Sequence, residues 1–228
     1  MTDNKNQAAG RPRRGIILDV DGTLWDAVRV ITDSWNAYGR DIPDVTRQIS
    51  YPEMEGCLGK TMPEIADIIY SYLPEDRKYE VLDGAMRYEI EYMWDHPGNI
   101  YPEVVETLRR LKEEGWLLYI VSNCQKGYIE DFLHAAGAQD LILDYLCYED
   151  TRREKGYNIR LCADRNELDY AVYVGDTAGD LQASMQAGID FIFAGYGFGN
   201  VDGMEGVTAR ISSFAQLPET VVCITGKD

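Results

Sequence analysis

The sequence predicts an α/β fold: a parallel sheet covered by helices on both faces, with a helical insertion after the first strand. Three observations carry this. Short apolar runs at residues 15–18, 116–121, 143–147, 171–174 and 191–194 each end in a polar or glycine-containing turn. Helix-like stretches separate the last four runs. Residues 25–99 contain helical patterns but no convincing strand.

Near-continuous apolar character over four to six residues suits strands buried on both faces, as in a parallel sheet. Residues 104–114 place Val104, Val105, Leu108 and Leu111 on one helical face, and Gly115 stops them. Residues 128–136 end at Gly137 and residues 181–187 at Gly188, with 158–165 a further helix. Strand and helix thus alternate from about Tyr101 onward, as in a doubly wound layer with right-handed crossovers. The stretch before it reads as helices at 27–38, 62–72 and 76–93, punctuated by Pro43, Pro52, Pro74 and Pro97. It is far longer than a crossover needs. The expected organisation is a disordered lead-in at 1–13, a core from 14–24 and 100–228, and an inserted helical cap at 25–99.

With 228 residues, 45% hydrophobic and 27% charged, the composition is that of a globular protein with a sizeable core. The formal net charge of −17 argues against nucleic-acid polymers and membrane surfaces as partners, because both are polyanions. It leaves room for a small anionic ligand, since one metal ion and a lysine can reverse the potential inside a pocket. The basic cluster Arg11-Pro12-Arg13-Arg14 precedes only a three-residue apolar run, too short for a signal peptide. The five cysteines are odd in number and scattered without metal-knuckle spacing, which reads as reduced thiols in a cytoplasmic protein. The two histidines, His96 and His134, read as surface or capping residues.

Ligands of an open parallel sheet bind beyond the C-terminal strand ends. The first run leads into Asp19-Val20-Asp21-Gly22-Thr23, the second into Ser122-Asn123, and the third, a few residues on, into Lys155-Gly156. The fourth leads into Gly175-Asp176-Thr177-Ala178-Gly179-Asp180. Carboxylates, a hydroxyl and a lysine converging on one edge suit a divalent cation and a phosphate. Asp19 and Asp21, two apart in extended chain, share a face. An all-oxygen set of Asp19, Asp21 and Asp176 suits a hard cation, hence Mg2+. The bland alternatives are a solvated turn for Asp19 and Asp21 and a helix N-cap with first-turn acidity for Asp176 and Asp180. Two aspartates placed directly after Ile16-Ile17-Leu18 would be costly if buried unpaired, which favours the metal site.

This series resembles the haloacid dehalogenase superfamily, specifically its phosphoglycolate phosphatase-like branch with a helical cap, from Gly15 to about Gly199. The resemblance implies a Rossmann-like three-layer core with strand order 5-4-1-2-3, the five runs being numbered along the chain. It implies Asp19 as nucleophile, Asp21 as general acid/base, and Mg2+ held by Asp19, Asp176 and the backbone carbonyl of Asp21. Gly22, Thr23, Ser122, Asn123 and Lys155 are the expected phosphate-binding residues, and Thr177 and Asp180 are expected to support them. Lys126 competes with Lys155 for the lysine position, and Gly156 stands where the family has proline. Lys60, in Gly56-Cys57-Leu58-Gly59-Lys60-Thr61, falls where related caps read the substrate's far end. The tyrosine excess, 16 in all, reads mostly as packing between cap helices.

The expected activity is hydrolysis of a small phosphorylated metabolite by a monomer or homodimer. A phosphomutase of the same superfamily, or a catalytically silent metal- or phosphate-binding regulator, is the alternative.

Overall fold

The computed structural model describes residues 12–226. The lead-in at residues 1–11 lies outside the described residues. Arg13, expected in that lead-in, is already tied to the core: its backbone N–H donates to Asp169 Oδ2 at 2.7 Å and its carbonyl accepts from Asp169 N.

Strands β1 (Arg14–Leu18), β2 (Trp25–Asp26) and helices α1 (Val28–Gly39), α2 (Tyr51–Glu55), α3 (Met62–Ile69) and α4 (Glu75–Asp95) come first. They are followed by β3 (Asn99–Ile100), α5 (Val104–Glu113), β4 (Leu117–Val121), α6 (Tyr128–Ala136), β5 (Asp144–Leu146) and α7 (Tyr148–Thr151). The chain ends with α8 (Lys155–Arg165), β6 (Tyr170–Gly175), α9 (Ala178–Ala187), β7 (Asp190–Ala194), β8 (Val207–Ile211) and α10 (Leu217–Thr225).

The main sheet is parallel, in the order β5-β4-β1-β6-β7-β8. The five expected runs take the order 5-4-1-2-3, and β8 extends the sheet by one edge strand beyond it. That strand, Val-Thr-Ala-Arg-Ile, buries only Ile211 fully, so it carries too little apolar signal to stand out in sequence. Alternation along each strand divides the core between the two faces. Ile16, Leu18, Leu118, Ile120, Val172 and Val174 pack on the face covered by α5, α6 and α10. Ile17, Tyr119, Val121, Tyr173 and Phe191 pack on the other face, against α8 and α9.

Residues expected to lack strands supply one short ribbon. Trp25 pairs antiparallel with Ile100 and Asp26 with Asn99, so the insertion leaves and re-enters the core at one place. Within it α1 and α4 pack side by side. Ser50 with Glu53 and Thr61 with Glu64 form capping boxes that start α2 and α3. Aromatic packing fills the insertion as expected: Tyr70 stacks on Trp35, and Tyr88 on Tyr92. Tyr51 and Tyr72 are exposed instead. His96 stacks on Tyr92 and His134 on Trp94, both at exposed helix ends.

Two substitutions probe this packing. Ile17→Ala should cost about 2–5 kcal/mol in denaturant melts, since its side chain is enclosed between β1 and the α8–α9 layer. Met185→Ala, at a position 57% exposed, should stay within about 0.5 kcal/mol of wild type.

Candidate active site

The site is built where β1 and β6 end side by side. Asp19 N donates to Val174 O at 2.9 Å, which fixes the first carboxylate between the two strand ends. The chain then folds back on itself: Val20 O accepts from the backbone N–H groups of Thr23, Leu24 and Trp25. Gly22 makes this turn at φ +76, and a Cβ there would fall on the Asp176 carboxylate.

Asp19, Asp176 and Asp180 bring carboxylate oxygens within 4.8 Å of one another, all buried. Lys155, the first residue of α8, stands among them. Its Nζ lies 3.0 Å from Asp19 Oδ1 and 2.7 Å from Asp180 Oδ1, and the residue is 6% exposed. Burial alone would pull the lysine's pKa down, but the charges of Asp180 and Asp19 and their hydrogen bonds outweigh that and hold it above the ordinary value. Lys126 is exposed and faces Asp150 at 3.9 Å, so the structure places Lys155 and not Lys126 in the cluster. Gly156 has a local reason. A Cβ there would lie 2.5 Å from Gln186 Oε1 and 3.0 Å from Ala183 O, so α8 sits too close to α9 for a proline.

The carboxylates divide into used and unused oxygens. Asp180 accepts from Lys155 and Tyr173 OH through Oδ1, and from Thr177 N and Oγ1 through Oδ2, so both oxygens are committed. It also closes a capping box with Thr177 at the start of α9. Asp176 Oδ2 accepts from Phe198 N at 2.7 Å and Gly199 N at 3.3 Å, whereas its Oδ1 is buried without a partner. Asp19 Oδ1 has the Lys155 contact but no well-directed hydrogen bond. Burial first, then the charge of Asp180, raises Asp19 to about 6 against the pull of Lys155. Burial and the charges of Asp180 and Asp19 raise Asp176 to about 8. Three buried carboxylates around one ammonium leave the site short of positive charge. Free oxygens on Asp19 and Asp176 fit a hard divalent cation.

Asp21 stands apart from this cluster. Its carboxylate accepts from Tyr128 OH, and burial raises its pKa to about 7, partly offset by that hydrogen bond. The expectation of three carboxylate ligands is therefore corrected. Asp21's side chain is turned toward Tyr128 and lies outside the group formed by Asp19, Asp176 and Asp180.

Asp19, Asp21, Ser122, Asn123 and Lys60 line one small pocket between the core and the insertion. Asn123 Nδ2 donates to Gly59 O of the insertion at 2.9 Å, while its Oδ1 is buried without a partner. Lys60 is at the rim and exposed. Lys155, Thr177, Asn123 and Lys60 also border an adjoining open groove of about 540 Å³. Gly22 and Thr23 line neither space. The Thr23 hydroxyl is buried and unpartnered, and its carbonyl accepts from Tyr196 OH at 2.8 Å.

Sequence reasoning missed Tyr128, Gln125, Trp35 and Glu89 on the cavity wall, and the loop that holds Asp176. The loop had a signal in Gly195-Tyr196-Gly197-Phe198-Gly199: a Cβ on Gly197 would collide with Asp176, and one on Gly199 with the Asp176 backbone. Cys124, beside this wall, is buried, and burial holds its thiol well above the usual range, consistent with an inert side chain.

The model of the haloacid dehalogenase-like hydrolase family matches residues 16–194, and the chain belongs to that family. It is 23% identical over 216 residues to a plasmid-encoded phosphoglycolate phosphatase of Cupriavidus necator, covering 91% of this chain and 92% of the relative. An enolase-phosphatase E1 of Azotobacter vinelandii is 27% identical over 198 residues, covering 78% of this chain and 87% of the relative. A solved structure of a predicted phosphoglycolate phosphatase from Haemophilus somnus superposes with TM-score 0.78 at 21% identity, over 92% of this chain and 98% of that one. Among the described residues, no helix is long and apolar enough to cross a membrane.

The raised carboxylate pKa values give a signed expectation. Asp19 and Asp176 bind more protons folded than unfolded between about pH 4 and pH 8, so metal-free stability falls as pH rises through that window. A divalent cation removes that penalty and competes poorly with protons at low pH. The gain in Tm on adding Mg2+ should therefore be larger at about pH 8 than at about pH 5, as read by thermal melts. Gly22→Ala should abolish the gain at both.

Proposed function

We propose that this chain hydrolyses small phosphate monoesters through an aspartyl-phosphate on Asp19, with Asp21 as general acid/base and Mg2+ as cofactor. The observation that carries this is the pairing at the cavity floor. A carboxylate held by a buried lysine at the end of β1 lies two residues from a second carboxylate whose pKa is raised to about 7.

An Asp19 oxygen attacks phosphorus in line with the ester oxygen, and the P–O bond to the leaving group breaks. The departing alkoxide takes a proton from Asp21, which a pKa near 7 allows to be present at neutral pH. Asp21, now ionised, accepts a proton from water as that water attacks the phosphoryl group, returning Asp19 and releasing phosphate. Tyr128 holds Asp21 in place through both steps. Ser122 and Lys155 meet the charge on the transferring oxygens. Asp19, Asp176 and the Asp21 carbonyl would hold Mg2+, with Asp180 orienting Lys155. When bound, the ion screens the repulsion between carboxylate and phosphate dianion. Residues 25–99 act as a cap that closes over residues 14–24 and 100–228, with Asn123–Gly59 as one of the contacts made on closure.

The enzyme should release phosphate from para-nitrophenyl phosphate with Mg2+, and Asp19→Asn should reduce this to background. Failure to turn over any member of a broad phosphorylated-metabolite panel would sink the reading, and transfer of phosphate between sugar positions would identify a mutase instead. Asp21→Asn should lower kcat on alkyl phosphates by about 10²–10⁴-fold. The pH profile separates its role from structure. For an alkyl phosphate, kcat/KM should fall as pH rises above about 7, because the acid form of Asp21 is lost. For para-nitrophenyl phosphate, whose leaving group needs no proton, that limb should be much shallower.

A further inference from the structure

The cavity above Asp19 and Asp21 has a far wall that the proposed reaction does not use. Glu89, in the middle of α4, is 2% exposed and forms part of it. One carboxylate oxygen accepts from Trp35 Nε1, the other from Gln125 Nε2 at 2.8 Å. Both donors are neutral. Among the described residues no lysine, arginine or histidine forms an ion pair with Glu89. A carboxylate has about four acceptor positions, so two donors leave it able to accept more.

We propose that Glu89 sets the substrate class of this site. Leaving groups that present a hydroxyl or an ammonium to it are accepted, and those carrying a second anionic group beside the phosphate are rejected. This rests on the phosphatase reading above. Glu89 lines the same small pocket as Asp19 and Asp21, so the distal end of a short substrate whose phosphate sits at Asp19 meets this wall. A second carboxylate there would face Glu89 and Asp21, with neutral Gln125, Trp35, Asn123, Ser122 and Tyr128 as polar neighbours. Lys60 is the one cation on the cavity wall among the described residues, and it is exposed at the rim, where water and salt screen it. Burial raises Glu89 to about 7, so above that pH it is ionised, and its field then reaches the cavity with little screening. There the buried charge dominates, and the wall repels anions while inviting donors.

The test compares two probes of one size. 2-Hydroxyethyl phosphate places a hydroxymethyl group where phosphoglycolate has a carboxylate. At about pH 8, wild-type kcat/KM should favour 2-hydroxyethyl phosphate by about tenfold or more. Glu89→Gln should bring the ratio toward one, chiefly by lowering KM for phosphoglycolate. A residue serving only to hold α4 in place would change both substrates alike and leave the ratio unmoved. A wild-type preference for phosphoglycolate overturns the proposal with no variant required, and an unchanged ratio in a folded Glu89→Gln protein overturns it too. Para-nitrophenyl phosphate run in parallel separates the two levels. If wild type hydrolyses it, failure of the ratio test rejects the role of Glu89 alone; if not, the phosphatase reading fails and takes this proposal with it.

Discussion

The contact on which the rest of the site depends is the ammonium of Lys155 lodged between Asp19 and Asp180. Parallel strands bring Asp19 and Asp176 to adjacent ends in a dry setting, where like charges repel strongly. One buried lysine offsets part of that. Asp180 spends both oxygens to hold it there, through Lys155 on one side and Thr177 on the other. The Tyr173 ring lies 5.9 Å from the ammonium, so β6 contributes to the same cradle. Removing any partner would strand a buried charge, a loss on the order of 3–5 kcal/mol. The remaining deficit of positive charge is what makes the free oxygens of Asp19 and Asp176 receptive to a cation.

Close approach around this centre explains the glycines. Gly22 and Gly197 leave room for the Asp176 carboxylate, Gly199 for its backbone, and Gly175 for Asp180. The outer half of the site is organised differently, through aromatic packing. Trp25 is fully buried and packs T-shaped with Tyr128 and with Phe132, both with ring centroids 5.4 Å away. Tyr128, fixed in this way, presents its hydroxyl to Asp21. Trp35, stacked on Tyr70, presents its ring N–H to Glu89. Hydrophobic packing thereby sets the direction of two polar groups that face the cavity.

Much of the inner site was legible because strand ends leave a clear mark in sequence. Asp19-Val20-Asp21-Gly22-Thr23 and Gly175-Asp176-Thr177 each follow an apolar run, so topology alone brings them to one edge. Lys155 was harder: only its approach to Asp19 and Asp180 distinguishes it from the exposed Lys126. Glu89 was not legible at all. Within Met86-Arg87-Tyr88-Glu89-Ile90-Glu91 it looks like any solvated helix position, and its burial follows from how α4 meets α1 and the loop after β4. In sequence Tyr128 shows only as the first residue of a helix, without the contact to Asp21 that makes it part of the site. The edge strand β8 was lost for a related reason, since its alternating exposure gives little apolar signal.

A net charge of −17 poses a question for any site that takes an anion. Distant surface charges are screened over a Debye length of about 8 Å at physiological ionic strength, so the whole-chain charge slows encounter more than it weakens binding. Local groups decide the rest. On the core side stand Lys155 and a carboxylate cluster that could hold a metal ion, the pair to which the proposed reaction assigns the phosphate. On the insertion side the wall carries the buried carboxylate of Glu89. On the proposed reading the two walls have opposite preferences across a small pocket. Such a site would distinguish the ends of its ligand by charge: phosphate against the core, a hydrogen-bond donor against the insertion. Orientation then needs no specific contact to the atoms between.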